Sequence, residues 1–91
     1  MSVTDTICAE ISAVTDQEFV IDKQAHVGGG IINDAAILSG CCGRQCFIKR
    51  NTADKLDMFA AEAEGLAALA QAQAIRVPEA VCVGQAAGES F

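Results

Sequence analysis

The sequence predicts an α+β fold, in which a small antiparallel sheet carries one long helix across it and a short N-terminal helix. Three observations predict it. Short runs rich in β-branched and aromatic residues, at residues 18–22, 35–38, 45–50 and 81–83, are bounded by glycine-bearing or polar turns. A segment from about residue 53 to 73, rich in Ala, Leu and Glu, has the composition of a helix and lies between the third and fourth runs. Near the N-terminus Ile7, Ile11 and Val14 recur at helical spacing, which predicts a short amphipathic helix over residues 5–14.

In chain order, Ser2-Val3-Thr4-Asp5 supplies the N-cap region of the first helix. Glu18-Phe19-Val20-Ile21-Asp22 reads as a strand ending in polar Lys23 and Gln24, and His26 falls in the loop that follows. A loop through Gly28-Gly29-Gly30 leads to the second strand. Gly40 and Gly43 then mark a hairpin turn into the third. In the long helix Leu56, Phe59, Ala63, Leu66, Leu69 and Ala70 share one broad face, which should pack on the sheet. Pro78 ends helical structure, because proline lacks an N–H and holds its predecessor extended. After a fourth strand at 81–83 and a turn at 84–89, Ser90-Phe91 reads as the start of a fifth strand.

Whole-chain numbers set limits. Ninety-one residues form one small domain, and 52% hydrophobic with 20% charged residues suits a folded chain. The net charge is −6 and the six basic residues are scattered, which argues against nucleic acid or an anionic membrane as the main partner. No apolar run approaches the ~20 residues of a membrane span, and no basic-then-apolar leader opens the sequence. A cytoplasmic location is the expectation.

Two features carry chemistry. Glu62 falls within the apolar arc of the long helix, where a carboxylate is costly unless a cation meets it. Lys49, at the end of the preceding strand, is the nearest candidate, while Glu64, Asp54 and Asp57 read as a solvated face. The second feature is the triple glycine, whose freed backbone N–H groups can cradle phosphate oxygens. Its spacing, Gly28-x-Gly30-x-x-Asn33, follows the kinase glycine loop with Asn33 at the final glycine position. It is neither a Walker A motif nor a Rossmann fingerprint, because no Gly-Lys-Ser/Thr follows and a strand rather than a helix comes next. Glycine loop, strand lysine and helix glutamate together make a nucleotide-binding constellation, in which the lysine pairs with phosphates and the glutamate holds the lysine.

Cys41, Cys42 and Cys46 cluster among five cysteines. No C-x₂-C pair is present, so the zinc signal is weak, and small buried hydrophobes are the preferred reading. No metal ligand is assigned in this chain.

The run from Gly28 to Ala35, then Phe47-Ile48-Lys49, then the stretch from Met58 to Leu69, then Arg76-Val77-Pro78, resembles the N-terminal part of the fructosamine kinase (ketosamine-3-kinase) family. That family shares the aminoglycoside-phosphotransferase and protein-kinase-like fold. The likeness runs collinearly from about His26 to Phe91. It implies a kinase-like N-terminal lobe spanning residues 1–91, and ATP-dependent phosphorylation of the sugar of a ketosamine, leading to deglycation. Lys49 then resembles the strand lysine for the ATP phosphates, with Glu62 its helix partner. Gly28, Gly29 and Gly30 would form the loop over the phosphates, with Asn33 at its end, and Phe47 would face the nucleotide. ATP and Mg²⁺ are the implied cofactors.

A His-Gly-Asp catalytic loop and a later acidic metal ligand are expected in a C-terminal lobe, and this sequence contains neither. The expectation is an ATP-binding lobe that is catalytically incomplete by itself and meets the glycated amine only with the missing lobe. Its inter-lobe face would be exposed and apolar, favouring a homo-oligomer. Three further readings stand beside it: a non-catalytic interaction module, a different sugar or aminoglycoside kinase of the same fold, and a thiol or metal protein using Cys41, Cys42 and Cys46.

Overall fold

In the computed structural model, which describes residues 2–27, 34–41, 43–72 and 76–91, helix α1 spans Val3–Thr15. Ser2 caps it in a reciprocal box: the Asp5 amide donates to Ser2 Oγ at 3.1 Å, and the Ser2 amide donates to Asp5 Oδ2 at 3.1 Å. That box satisfies two donors a helix start otherwise leaves unpaired. The helix ends at Asp16, whose φ of 54° and ψ of 33° are left-handed. Ile7 and Ile11 are buried, as the spacing predicts, and Val3 is buried with them, whereas Val14, on the same stripe but one residue from the helix end, is 59% exposed.

Five strands follow: β1 (Ile21–Val27), β2 (Asp34–Gly40), β3 (Gln45–Thr52), β4 (Gln85–Ala86) and β5 (Glu89–Ser90). They form one sheet in the order β1-β2-β3-β5-β4, every described pairing antiparallel. Between β3 and β4 the chain makes a 3-10 turn at Ala53–Lys55 and then helix α2, Leu56–Ala72. The core lies between α1 and the sheet, where Ile7, Ile11, Phe19, Leu38 and Phe91 pack together.

Several elements depart from expectation. The first strand begins at Ile21 rather than Glu18 and continues through His26, which is therefore a strand residue. The displaced residue Phe19 is buried in the core instead of pairing, since its ring is worth more packed than alternating on a sheet edge. Residues 81–83 are β-favouring in type yet join no ladder, and the short β4 forms two residues later. A two-residue turn at Ala87 (φ 51°) and Gly88 (φ 82°) joins β4 to β5, the primed geometry that matches strand twist.

Helix α2 also behaves differently. Phe59 is its buried residue, Leu56, Ala63 and Leu66 are half-buried, and Leu69 is 45% exposed. The helix stands off the sheet here and a groove opens beneath it, lined on the helix side by residues that include Ala63, Leu66 and Leu69.

Two arginines tie the fold. Arg44, in the β2–β3 turn, donates from Nη1 to Thr15 Oγ1 at 3.1 Å. Its Nη2 donates to the Gln17 and Glu18 carbonyls at 3.1 and 3.0 Å. Its guanidinium carbon lies 5.4 Å from the centre of the Phe19 ring, so one side chain closes the end of α1 onto the hairpin. Arg50 forks onto Glu89 from β3 to β5, Nε to Oε1 at 3.0 Å and Nη2 to Oε2 at 2.9 Å. Beneath it the fully buried Ser90 hydroxyl donates to the Thr52 carbonyl at 2.7 Å.

Candidate functional site

The site forms where β3 passes α2. Lys49 Nζ lies 3.4 Å from Glu62 Oε1, and the two side chains remain 42% and 46% exposed. Glu62 thus keeps its contact with water; the standing-off of α2 removes the burial cost that its place on the apolar face implied. An ion pair this exposed contributes little to stability. Its interest is positional: a cation is held at the mouth of a groove by a helix.

Strand register places that cation in the sheet. Lys49 pairs with Ala35 on β2, and Ala35 pairs with Val27 on β1. Val27 closes β1 and Ala35 is the second residue of β2, so Lys49 is level with the strand ends that flank the glycine run. Gly28, Gly29, Gly30 and Asn33 themselves lie outside the described residues, as does Cys42.

The groove has a volume of about 1060 Å³ and is mostly apolar. Phe47, Lys49, Glu62, Leu66, Val81 and Phe91 are among the residues lining it. Phe47 is 57% exposed on the strand face it shares with Lys49, two residues away. An aromatic ring, an apolar floor and an oriented cation at one edge suit a planar, anionic ligand.

Among the described residues no group of three His, Cys, Asp or Glu side chains converges to hold a metal ion. Cys8, Cys46 and Cys82 are half-buried against the core, while Cys41 is exposed. Burial pushes the Cys82 thiol up to about 11, helped by the nearby charges of Glu10 and Cys46. Burial also raises Cys8, with Asp5 and Cys46 adding to the shift. Both are neutral thiols at neutral pH, poor nucleophiles and poor metal ligands. Sequence reading missed the two arginine clamps, because their partners lie 26 to 39 residues away and no local pattern announces them.

Three comparisons bear on this geometry. The family model for fructosamine kinase matches residues 3–91. A probable ketoamine kinase of Synechocystis sp. is 45% identical over 87 residues, and one of Vibrio vulnificus is 33% identical over 86. These alignments take in 94% and 93% of the chain, which spans 29% of the length of each relative. The crystal structure of a candidate fructosamine-3-kinase of Haemophilus somnus 129PT superimposes with a TM-score of 0.85 at 26% identity, covering 92% of this chain and 28% of that one. The likeness agrees with a kinase-like N-terminal lobe for the sheet and its two helices.

Proposed function

Because this chain belongs to the fructosamine kinase family, we propose that it is the nucleotide-binding lobe of an ATP-dependent kinase acting on the sugar of ketosamines. The observation that carries the reading is the Lys49–Glu62 pair, level with the strand ends that flank the glycine run. In this role Lys49 neutralises phosphate charge, Glu62 keeps the ammonium aimed at the groove, and Phe47 covers the nucleotide from the strand face. Gly28, Gly29 and Gly30, with Asn33, are assigned to the phosphates on their sequence pattern alone. ATP supplies the transferred phosphoryl group.

The described residues offer no cluster for Mg²⁺, so no step through the metal is derived from this chain. The aspartate that accepts the acceptor hydroxyl's proton, and the contacts that choose the sugar, belong in this reading to a second lobe. Phosphorylation of a fructosamine or ribulosamine by the two-lobed enzyme leads to deglycation. No described helix is long and apolar enough to cross a membrane, which is compatible with a cytoplasmic enzyme.

The test is transfer from ATP to fructosyl-lysine, ribulosyl-lysine and an aminoglycoside by a protein of the relatives' full length. Phosphorylation of either ketosamine, lost in Lys49→Ala, supports the reading. Transfer confined to the aminoglycoside, or insensitive to Lys49→Ala, overturns it. A second reading, an interaction module that pairs through the open face into a homo-oligomer, is favoured by the exposure of Phe47 and Leu69 at the groove.

A further inference from the structure

We propose that Arg50, Glu89 and Ser90 are positioning residues for phosphoryl transfer: they brace the corner between β3 and α2 and so hold Glu62 against Lys49. The inference rests on the nucleotide-binding reading of that pair.

Helix α2 has little of its own to hold it on the sheet. Phe59 is its buried residue, and the Lys49–Glu62 pair is too exposed to fix it. Its position is set where it starts. There β5 packs against the 3-10 turn that leads into the helix. The Ala53 amide donates to the Gly88 carbonyl at 3.1 Å. One residue earlier, the Thr52 carbonyl accepts from the fully buried Ser90 hydroxyl at 2.7 Å. Two residues before that, Arg50 forks onto Glu89. The corner is also stiff within itself: Asn51 Oδ1 accepts from the Thr52 amide at 2.8 Å, and Thr52 Oγ1 donates to Asp54 Oδ1. The ladder between β3 and β5 joins only Asn51 to Ser90 and Thr52 to Glu89, so side chains carry much of this junction.

The two members of the ion pair depend on the corner unequally. Lys49 is placed by the β2 ladder, whose register runs from Asp34–Arg50 to Ser39–Gln45. Glu62 has no such ladder. It lies nine residues past Ala53, a lever of ~14 Å at helical rise. A tilt of ~10° about the corner moves it by ~2 Å, enough to part a contact of 3.4 Å. Misplacement of a group at a reacting centre by ~1 Å can cost roughly 10²-fold in rate. The β4–β5 hairpin therefore sets the aim of the lysine without touching the nucleotide.

The experiment measures transfer from ATP in a protein of the relatives' full length, well below the melting temperature of each variant. Arg50→Ala, Glu89→Gln and Ser90→Ala are each made alone and on a Glu62→Gln background. The expected result is a kcat about tenfold lower for each in the parent protein, and a change of less than about twofold on the Glu62→Gln background, because the brace works through Glu62. Equal losses on both backgrounds would show a merely structural role and overturn the proposal, as would an unchanged kcat in the parent. Amide hydrogen exchange at residues 56–63 gives a reading that needs no activity. Exchange there should be about tenfold faster in Arg50→Ala and Ser90→Ala, and unchanged exchange overturns the brace. Lys49→Ala separates this proposal from the reading beneath it. Transfer that survives Lys49→Ala overturns the kinase site itself, whereas transfer lost in Lys49→Ala but untouched by Arg50→Ala overturns the positioning role alone.

Discussion

Lys49 Nζ stands 3.4 Å from Glu62 Oε1 across a groove edge, each side chain more than two-fifths exposed. So exposed a pair should be separable into function and stability. Lys49→Ala is expected to leave thermal stability within about 0.5 kcal/mol and to abolish phosphoryl transfer in the two-lobed protein. Glu62→Gln should weaken transfer while keeping nucleotide binding measurable. Parallel melting curves and transfer assays check both, and a large stability loss in Lys49→Ala would show the lysine to be structural.

Arg50 and Glu89 hold β3 to β5 by a two-bonded fork, the arginine 27% and the glutamate 37% exposed. Fixed geometry offsets part of the solvent screening. A double-mutant cycle with Arg50→Ala and Glu89→Ala should give a coupling of about 0.5–1 kcal/mol at low salt. The coupling should shrink at 1 M salt, where screening is short-ranged. Denaturant titrations at the two ionic strengths measure it.

Gly84 passes close to two side chains. A Cβ built there would lie 2.8 Å from Phe91 Cζ and 2.5 Å from Glu10 Oε2. Glu10 can swing away, but the Phe91 ring is 6% exposed and held by the core. Gly84→Ala should cost about 1–3 kcal/mol through overpacking, read as a fall in the denaturation midpoint. Gly43→Ala should also destabilise, but for its φ of 86° in open space rather than for any clash.

Cys82 gives the pH prediction. Its folded value is raised from 9.0 to about 11, chiefly by burial. Folding therefore favours the protonated thiol. The stability it contributes is complete below pH 9 and is lost as pH rises through about 11. Cys82→Ala should flatten that alkaline loss. Alkylation mapped by mass spectrometry at pH 8 should mark exposed Cys41 well before Cys82.

Asp5 acts at the other end of the scale. Hydrogen bonds from the Ser2 amide and then the Ser2 hydroxyl lower its pKa below 3.8. The capping contribution is present above the unfolded value and lost as pH falls through the lowered folded one. Ser2→Ala should cost about 1 kcal/mol at neutral pH and less in acid, a difference seen by melting the two proteins from pH 7 to pH 2.

What was legible in the sequence was local. The 3.6-residue spacing of Ile7 and Ile11, the strand carrying Phe47 and Lys49, and the position of Glu62 on the helix arc all follow from periodicity within a dozen residues. The collinear likeness to a kinase family extended that reading to a fold. The tertiary structure decided what depends on distant partners. Residues 81–83 look like a strand, but a strand exists only where a neighbouring edge supplies its hydrogen bonds, and none of the described segments pairs with them. The apolar face of α2 reads as packed, but in the folded chain Leu69 stays exposed and a groove remains between helix and sheet. The level of Lys49 with Ala35 and Val27 arises from two ladders together. Arg44 and Arg50 find their partners only once the hairpins have folded, because hydrogen-bond geometry is met in space and leaves no trace in residue spacing.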